Sequence, residues 1–240
     1  MLFERSIPLY IQIRELLIDK INKKEWLPGE AIPSETILAK NLNVSLGTVR
    51  KAIESLVSNN ILDRKQGKGT FIKTHDIHRA LFHFFHIVNK NGEKVIPHSK
   101  VTSLTERAPT KQEVKKLQLK TNAKVINIVR TRDIEDKTII LENITLPHAI
   151  FVQLLKNNKN EIPNTLYEFY ENSFGVTIHS AKERISALLA SKEDAKIMDV
   201  PESHPLLYIE RLAQTLDGKP IELRLSKCNT ENYYYDNTVL

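Results

Sequence analysis

The residues best equipped for chemistry in this 240-residue chain are cations set beside serine or glycine. Ser45-Leu46-Gly47-Thr48-Val49-Arg50-Lys51 places a guanidinium and an ammonium just past a serine, and Gln66-Gly67-Lys68-Gly69 holds a lysine between two glycines. No nucleophile–base pair accompanies either set, so neither reads as a bond-breaking centre. Both suit anion and base-edge binding. A guanidinium grips guanine or phosphate through two parallel hydrogen bonds, and glycines let backbone N–H groups approach a phosphate while Lys68 adds charge. A second candidate is the pair Arg130 and Arg132, two apart and so on one face of a strand. On a pocket wall that pair would hold a phosphate or carboxylate. On a half-exposed sheet it is two solvated arginines, and spacing alone favours the latter.

The elements around the first set follow from local signals. Pro8 opens a helix whose apolar face is Leu9, Ile13, Leu16, Leu17 and Ile21, and which should stop near Trp26-Leu27-Pro28-Gly29. Ser34 caps a second helix, with Glu35 placed against its dipole and Ile37, Leu38 and Leu42 expected inward. Asn43 tolerates the left-handed turn that follows. Ser45 caps a third helix that buries Val49, Ala52, Ile53, Leu56 and Val57 and leaves Leu46, Gly47, Thr48, Arg50 and Lys51 towards solvent. Leu62–Lys65 and Thr70–Lys73 flank the glycine tip as a hairpin. Two short helices joined by a tight turn and followed by a basic hairpin make a winged helix-turn-helix, whose second helix reads the major groove of double-stranded DNA. A generic three-helix domain would account for the helices and not for the wing.

Composition agrees. Hydrophobic residues are 41% and charged residues 27%, ordinary for a globular protein, and the net charge is +6. Residues 1–75 hold 12 Lys and Arg against 8 Asp and Glu, so most of the basic excess lies with the helix-turn-helix. The length suits two domains, 1–75 and 76–240. Cys228 is the single cysteine, which excludes an intrachain disulfide. The start lacks the apolar core of a signal peptide, and no apolar run reaches the roughly 20 residues of a membrane span, so a cytoplasmic protein is expected. His75, His78, His83 and His86 invite a metal reading, but no cysteine or carboxylate cluster completes a ligand set, and neither metal nor cofactor is expected.

Pro8-Leu9-Tyr10, Leu27-Pro28-Gly29, Pro33-Ser34-Glu35, Val44-Ser45, Thr48-Val49-Arg50 and Gly67-Lys68-Gly69-Thr70-Phe71 together resemble the GntR family of bacterial transcription regulators. The resemblance implies that Ser34, Thr36, Ser45, Leu46, Gly47, Thr48, Arg50 and Lys51, with Gln66 to Gly69 of the wing, face DNA. The family commonly has arginine where this chain has Thr36 and Leu46.

Beyond His75-Asp76-Ile77-His78 a new pattern begins. Phe82–Val88 reads as a strand turning at Asn89-Lys90-Asn91-Gly92 into another that ends near Thr105. Thr110 to Glu113 is a capping box. Lys124–Glu135 and Thr138–Leu146 form a hairpin, helices follow Pro147 and Asn164, and Gly175 ends the second of these. Val176–Leu189 reads as a strand, Ser191 caps a helix through Met198, and Leu206–Leu216 pairs with Pro220–Lys227 around Asp217-Gly218. This order predicts an α+β domain on one antiparallel sheet. It resembles the ligand-sensing domain of the HutC subfamily, with a chorismate-lyase-like fold, through Ile128 to Arg132, Glu142, Leu146-Pro147, Thr165-Leu166-Tyr167, Phe174-Gly175-Val176, Glu183 to Ala187, Pro205-Leu206-Leu207 and Asp217 to Glu222. The resemblance implies a homodimer that binds an anionic metabolite, such as a sugar phosphate or carboxylate, through Arg130, Arg132, Glu142, Tyr167 and Glu222. Glu142 could equally pair with Arg130. An enzyme on the same fold, fused to a DNA-binding domain, is the competing reading. Lys73–Arg79, the covalent route between the halves, is expected to act as a hinge.

Overall fold

A computed structural model describes residues 7–23, 25–27, 29–59, 61–73 and 86–237. Two compact units divide the chain, Met1–Asp76 and Ile77–Leu240. Most of the expected hinge, and His75, His78 and His83, lie outside the described residues.

In the first unit α1 (Leu9–Asn22), α2 (Glu35–Leu42) and α3 (Leu46–Ser58) precede a hairpin of β1 (Leu62–Lys65) and β2 (Gly69–Ile72). Ser34 and Ser45 cap as expected, their Oγ atoms accepting from Ile37 N at 3.3 Å and Thr48 N at 3.2 Å. Asn43 adopts φ 53° at the turn. The core gathers Ile13, Leu17, Ile18, Leu38, Ala39, Val49, Ile53 and Leu56. Two expectations are corrected. Ile37 is exposed, because the inward stripe of α2 runs through Leu38, Ala39 and Leu42, about 100° further round the helix. Helix α1 ends at Asn22, before Trp26. The chain must turn there so that residues 29–32 can lie along β2, with Ile72 N donating to Glu30 O at 2.8 Å and Ile32 N to Thr70 O at 2.9 Å.

The second unit begins with β3 (Ile87–Asn89), β4 (His98–Arg107), α4 (Lys111–Lys116) and the hairpin β5 (Val125–Ile134) and β6 (Lys137–Pro147). A short α5 (His148–Phe151) and two 3₁₀ turns lead to α6 (Leu166–Phe174). Then follow β7 (Ser180–Leu189), α7 (Lys192–Met198), β8 (Pro205–Gln214), β9 (Pro220–Cys228) and β10 (Tyr233–Tyr235). The expected antiparallel sheet has six strands in the order β4-β5-β6-β9-β8-β7.

The expected hairpin after Asn89 is replaced. β3 pairs with β10, β4 pairs with β5, and among the described residues an isolated Val88–Lys94 bridge and the tight turn beyond Asn89 are what remains of the hairpin. Asn89 Oδ1 closes the turn on Asn91 N and Glu93 N, and Pro97, which has no N–H, stands between the bridge and β4. The strand expected from Val176 starts only at Ser180.

One sheet face has three zones. Ile126, Ile128, Ile144, Leu146 and Ala213 pack under α5 and α6 through Phe151, Leu166 and Tyr170. Ile140, Ile209 and Cys228 pack with Ile87, Tyr233 and Tyr235 of the β3–β10 ribbon. Between the two apolar zones runs a belt of charge.

Candidate functional site

The surface expected to meet DNA is built by two caps and a turn. Leu46, Gly47, Arg50 and Lys51 at the start of α3 are exposed, as are Thr36 and the whole Gln66–Gly69 tip. Thr48 is half-buried, with its hydroxyl 2.7 Å from Ser45 Oγ, so it completes the cap. Gly67 and Gly69 adopt φ values of 71° and 120° that disfavour other residues, which shapes the tip and leaves Lys68 at its apex. Lys51 Nζ lies 4.2 Å from the Tyr10 ring. Arg50 Nε donates to Glu35 Oε2 at 3.0 Å, and Arg64 Nη2 donates to Glu35 Oε1 at 2.6 Å. Sequence reasoning missed Arg64 and this use of Glu35, since partners 15 and 29 residues away leave no local signal.

In the second unit, strand register brings the expected residues together. Arg130 faces Glu142 across β5 and β6, and its Nε donates to Glu142 Oε2, both side chains being buried. Arg224 on β9 reaches Glu142 Oε1 through Nη1 at 3.3 Å and Glu222 through Nε and Nη2, both at 2.9 Å. Glu222, fully buried, also accepts from the hydroxyls of Tyr167 at 3.0 Å and Tyr170 at 2.8 Å, which α6 hangs over the sheet. The Arg224 guanidinium lies 5.2 Å from the Tyr167 ring centre. Further along, Arg211 Nε donates to Glu183 Oε1 at 2.6 Å, and the Tyr235 hydroxyl donates to Glu183 Oε2. Arg132, also buried, points the same way as Arg130 and donates to Pro97 O at 3.5 Å. Arg224, Arg211 and Tyr170 were missed, and Glu183 entered only as part of the family resemblance. The Glu222–Arg224 alternation among Ile221, Leu223 and Leu225 was the available signal.

Four guanidiniums, of Arg130, Arg132, Arg211 and Arg224, thus meet three carboxylates, of Glu142, Glu183 and Glu222. Burial pulls Arg132 down to about 10, opposed by Glu142 and reinforced by Arg130, Arg224 and Arg211. Burial opposes ionisation of Glu142, yet Arg130, Arg224 and Arg132 hold it far below the usual carboxylate range. Burial and then Glu222 push Tyr167 up to about 12, so it stays a hydroxyl donor. The belt is therefore short of negative charge, and a bound anion would relieve the crowding. An open hollow near His204, Leu206 and Thr230 lies off this belt, and its lining residues include no arginine or lysine.

A winged helix-turn-helix followed by an α+β domain on an antiparallel sheet is the architecture of a ligand-responsive DNA-binding regulator. The profile of bacterial regulatory proteins of the gntR family matches residues 9–72, and that of the UTRA domain matches residues 93–234. The chain belongs to the GntR family of transcription regulators, in the HutC-type group whose second domain is a UTRA domain. It is 28% identical to the mannosyl-D-glycerate transport/metabolism system repressor of Escherichia coli, over 95% of this chain and 94% of that protein. It is 26% identical to the transcriptional repressor NagR of Bacillus subtilis, over 97% and 95% respectively. In fold it is similar to PhnF from Mycobacterium smegmatis, with a TM-score of 0.56 at 17% identity over 95% of this chain and 99% of that one. A GntR-family regulator from Enterococcus faecalis matches 59% of this chain and 99% of its own, with a TM-score of 0.54 at 23% identity. The family and the two named repressors are transcription regulators, and the enzyme reading falls with them. No helix among the described residues is long and apolar enough to cross a membrane.

Proposed function

We propose that the protein is a cytoplasmic homodimeric repressor whose effector is a sugar-bearing phosphate or carboxylate, gripped by Arg130 and Arg132 with Glu142, Tyr167 and Glu222 around it. The observation that carries this reading is the buried excess of guanidinium over carboxylate on one face of residues 76–240. The N-terminal domain, residues 1–75, binds the operator, and the C-terminal domain, residues 76–240, binds effector and carries the dimer contact. Relatives named for mannosyl-D-glycerate and for fructoselysine support a sugar-linked carboxylate as the ligand class. A single recognition helix covers few base pairs, so two protomers on a near-palindrome with half-sites about 10 bp apart complete the reading. The ten-residue edge strand β7 shows Ile185 and Leu189 to solvent, which favours a protein contact in this domain. A thermal-shift screen of sugar phosphates, sugar acids and neutral sugars tests it. Anionic sugars should raise the melting temperature, and a response to neutral sugars alone would reject the anion assignment.

A further inference from the structure

The carboxylate of Glu35 holds two separate elements of the DNA-binding unit at once. Oε2 takes the Nε–H of Arg50 on α3 at 3.0 Å, and Oε1 takes Nη2 of Arg64 on β1 at 2.6 Å. The Glu35 side chain is 21% exposed, against 54% for Arg50 and 44% for Arg64, so the acid sits beneath two outward guanidiniums. An exposed ion pair contributes little to stability. Orientation is what this one supplies. An arginine carries five N–H donors in a rigid plane, and committing Nε to the carboxylate turns the fork of its two Nη nitrogens away from the acid. That fork matches O6 and N7 of guanine in the major groove. Arg64 meanwhile fixes the second oxygen, which keeps the carboxylate from rotating and offsets its charge close to where phosphates must come.

We infer that Glu35 is a positioning residue for base readout: it presents Arg50 end-on to a guanine, with Arg64 as its brace. Glu35 itself touches no DNA.

The test is selection from a randomised duplex pool by the full-length protein, followed by anisotropy titrations at fixed salt. Arg50→Ala identifies the guanine position that Arg50 reads. Glu35→Gln should lower the guanine-over-adenine ratio at that position by about fivefold or more, while binding to a scrambled duplex stays equal or tightens because a negative charge is gone. In the Arg50→Ala background, Glu35→Gln should change the ratio no further. A purely structural role would instead lower the melting temperature and weaken every duplex alike with the guanine ratio intact, and that result overturns the inference. Should Glu35→Gln fail to fold, Arg64→Ala, which loosens the same carboxylate from outside, should lower the ratio, and an unchanged ratio overturns it. So does a wild-type selection with no Arg50-dependent guanine.

Discussion

Arg130 and Glu142 stand directly opposite each other on β5 and β6, joined from Nε to Oε2 with both side chains nearly out of solvent. Removing one partner strands a buried charge, whereas replacing both with apolar groups does not. Glu142→Ala should therefore cost about 3–5 kcal/mol of stability in urea unfolding, and the Arg130→Met/Glu142→Leu double variant should cost less. A single variant as stable as wild type would show that the pair is not a closed buried contact.

The effector grip proposed for Arg132 comes at the expense of crowding in the belt. Arg132→Met leaves three guanidiniums against three carboxylates, so ligand-free stability should hold to within about 1 kcal/mol or rise. Wild type at an effector concentration of about 100 Kd should gain about 2.7 kcal/mol, and the variant should gain little. Equal effector stabilisation in differential scanning fluorimetry would move the anion grip elsewhere.

Glu113 is a cap with a second task. Its carboxylate accepts from Thr110 N at 2.7 Å, from Arg107 at 2.6 and 2.8 Å, and from the Thr145 hydroxyl at 2.9 Å, which ties α4 to the sheet. Burial pushes its pKa up, but Arg107, the Thr110 N–H and Thr145 hold it down to about 2. A folded-state value below the ordinary 4.5 means the stabilisation is full above that pH and is lost as the pH falls towards about 2. Glu113→Gln should cost about 1–3 kcal/mol at pH 7, and its gap from wild type should close across that acid window. A gap independent of pH would remove the ionised carboxylate from the explanation.

Arg50 and Lys68 should separate in their effects on DNA. Arg50→Ala is expected to cost about 1–3 kcal/mol on the operator. Lys68→Ala at the wing tip should weaken all duplexes similarly and lower the salt slope by about one. Identical salt slopes for Lys68→Ala and wild type would place the wing tip off the phosphates.

Local signals in the chain were enough for much of this architecture. The cap serines Ser34, Ser45 and Ser191, the Thr110–Glu113 box, Gly175 and the Asp217-Gly218 turn each act through backbone groups a few residues away, so short windows contain them. Ile37 misled because a helix of eight residues offers too few apolar positions to fix its inward stripe. The β3–β10 pairing joins residues 87–89 to 233–235, and nothing in a short window announces such a partner. The same holds for the belt. Arg130 and Arg132 could be placed on one face from their alternation, but recruitment of Arg211, Arg224 and Glu183 depends on the register of five strands.

Operator affinity in the presence and absence of effector is the most direct measurement. Full-length protein is titrated into labelled operator duplex at fixed salt, with and without the anionic sugar that raises the melting temperature. A coupling of about 1–3 kcal/mol should shift the Kd by roughly 5–150-fold, and Arg132→Met should abolish the shift while binding ligand-free operator normally. An unchanged Kd under saturating effector would contradict control of DNA binding by a metabolite in the second domain.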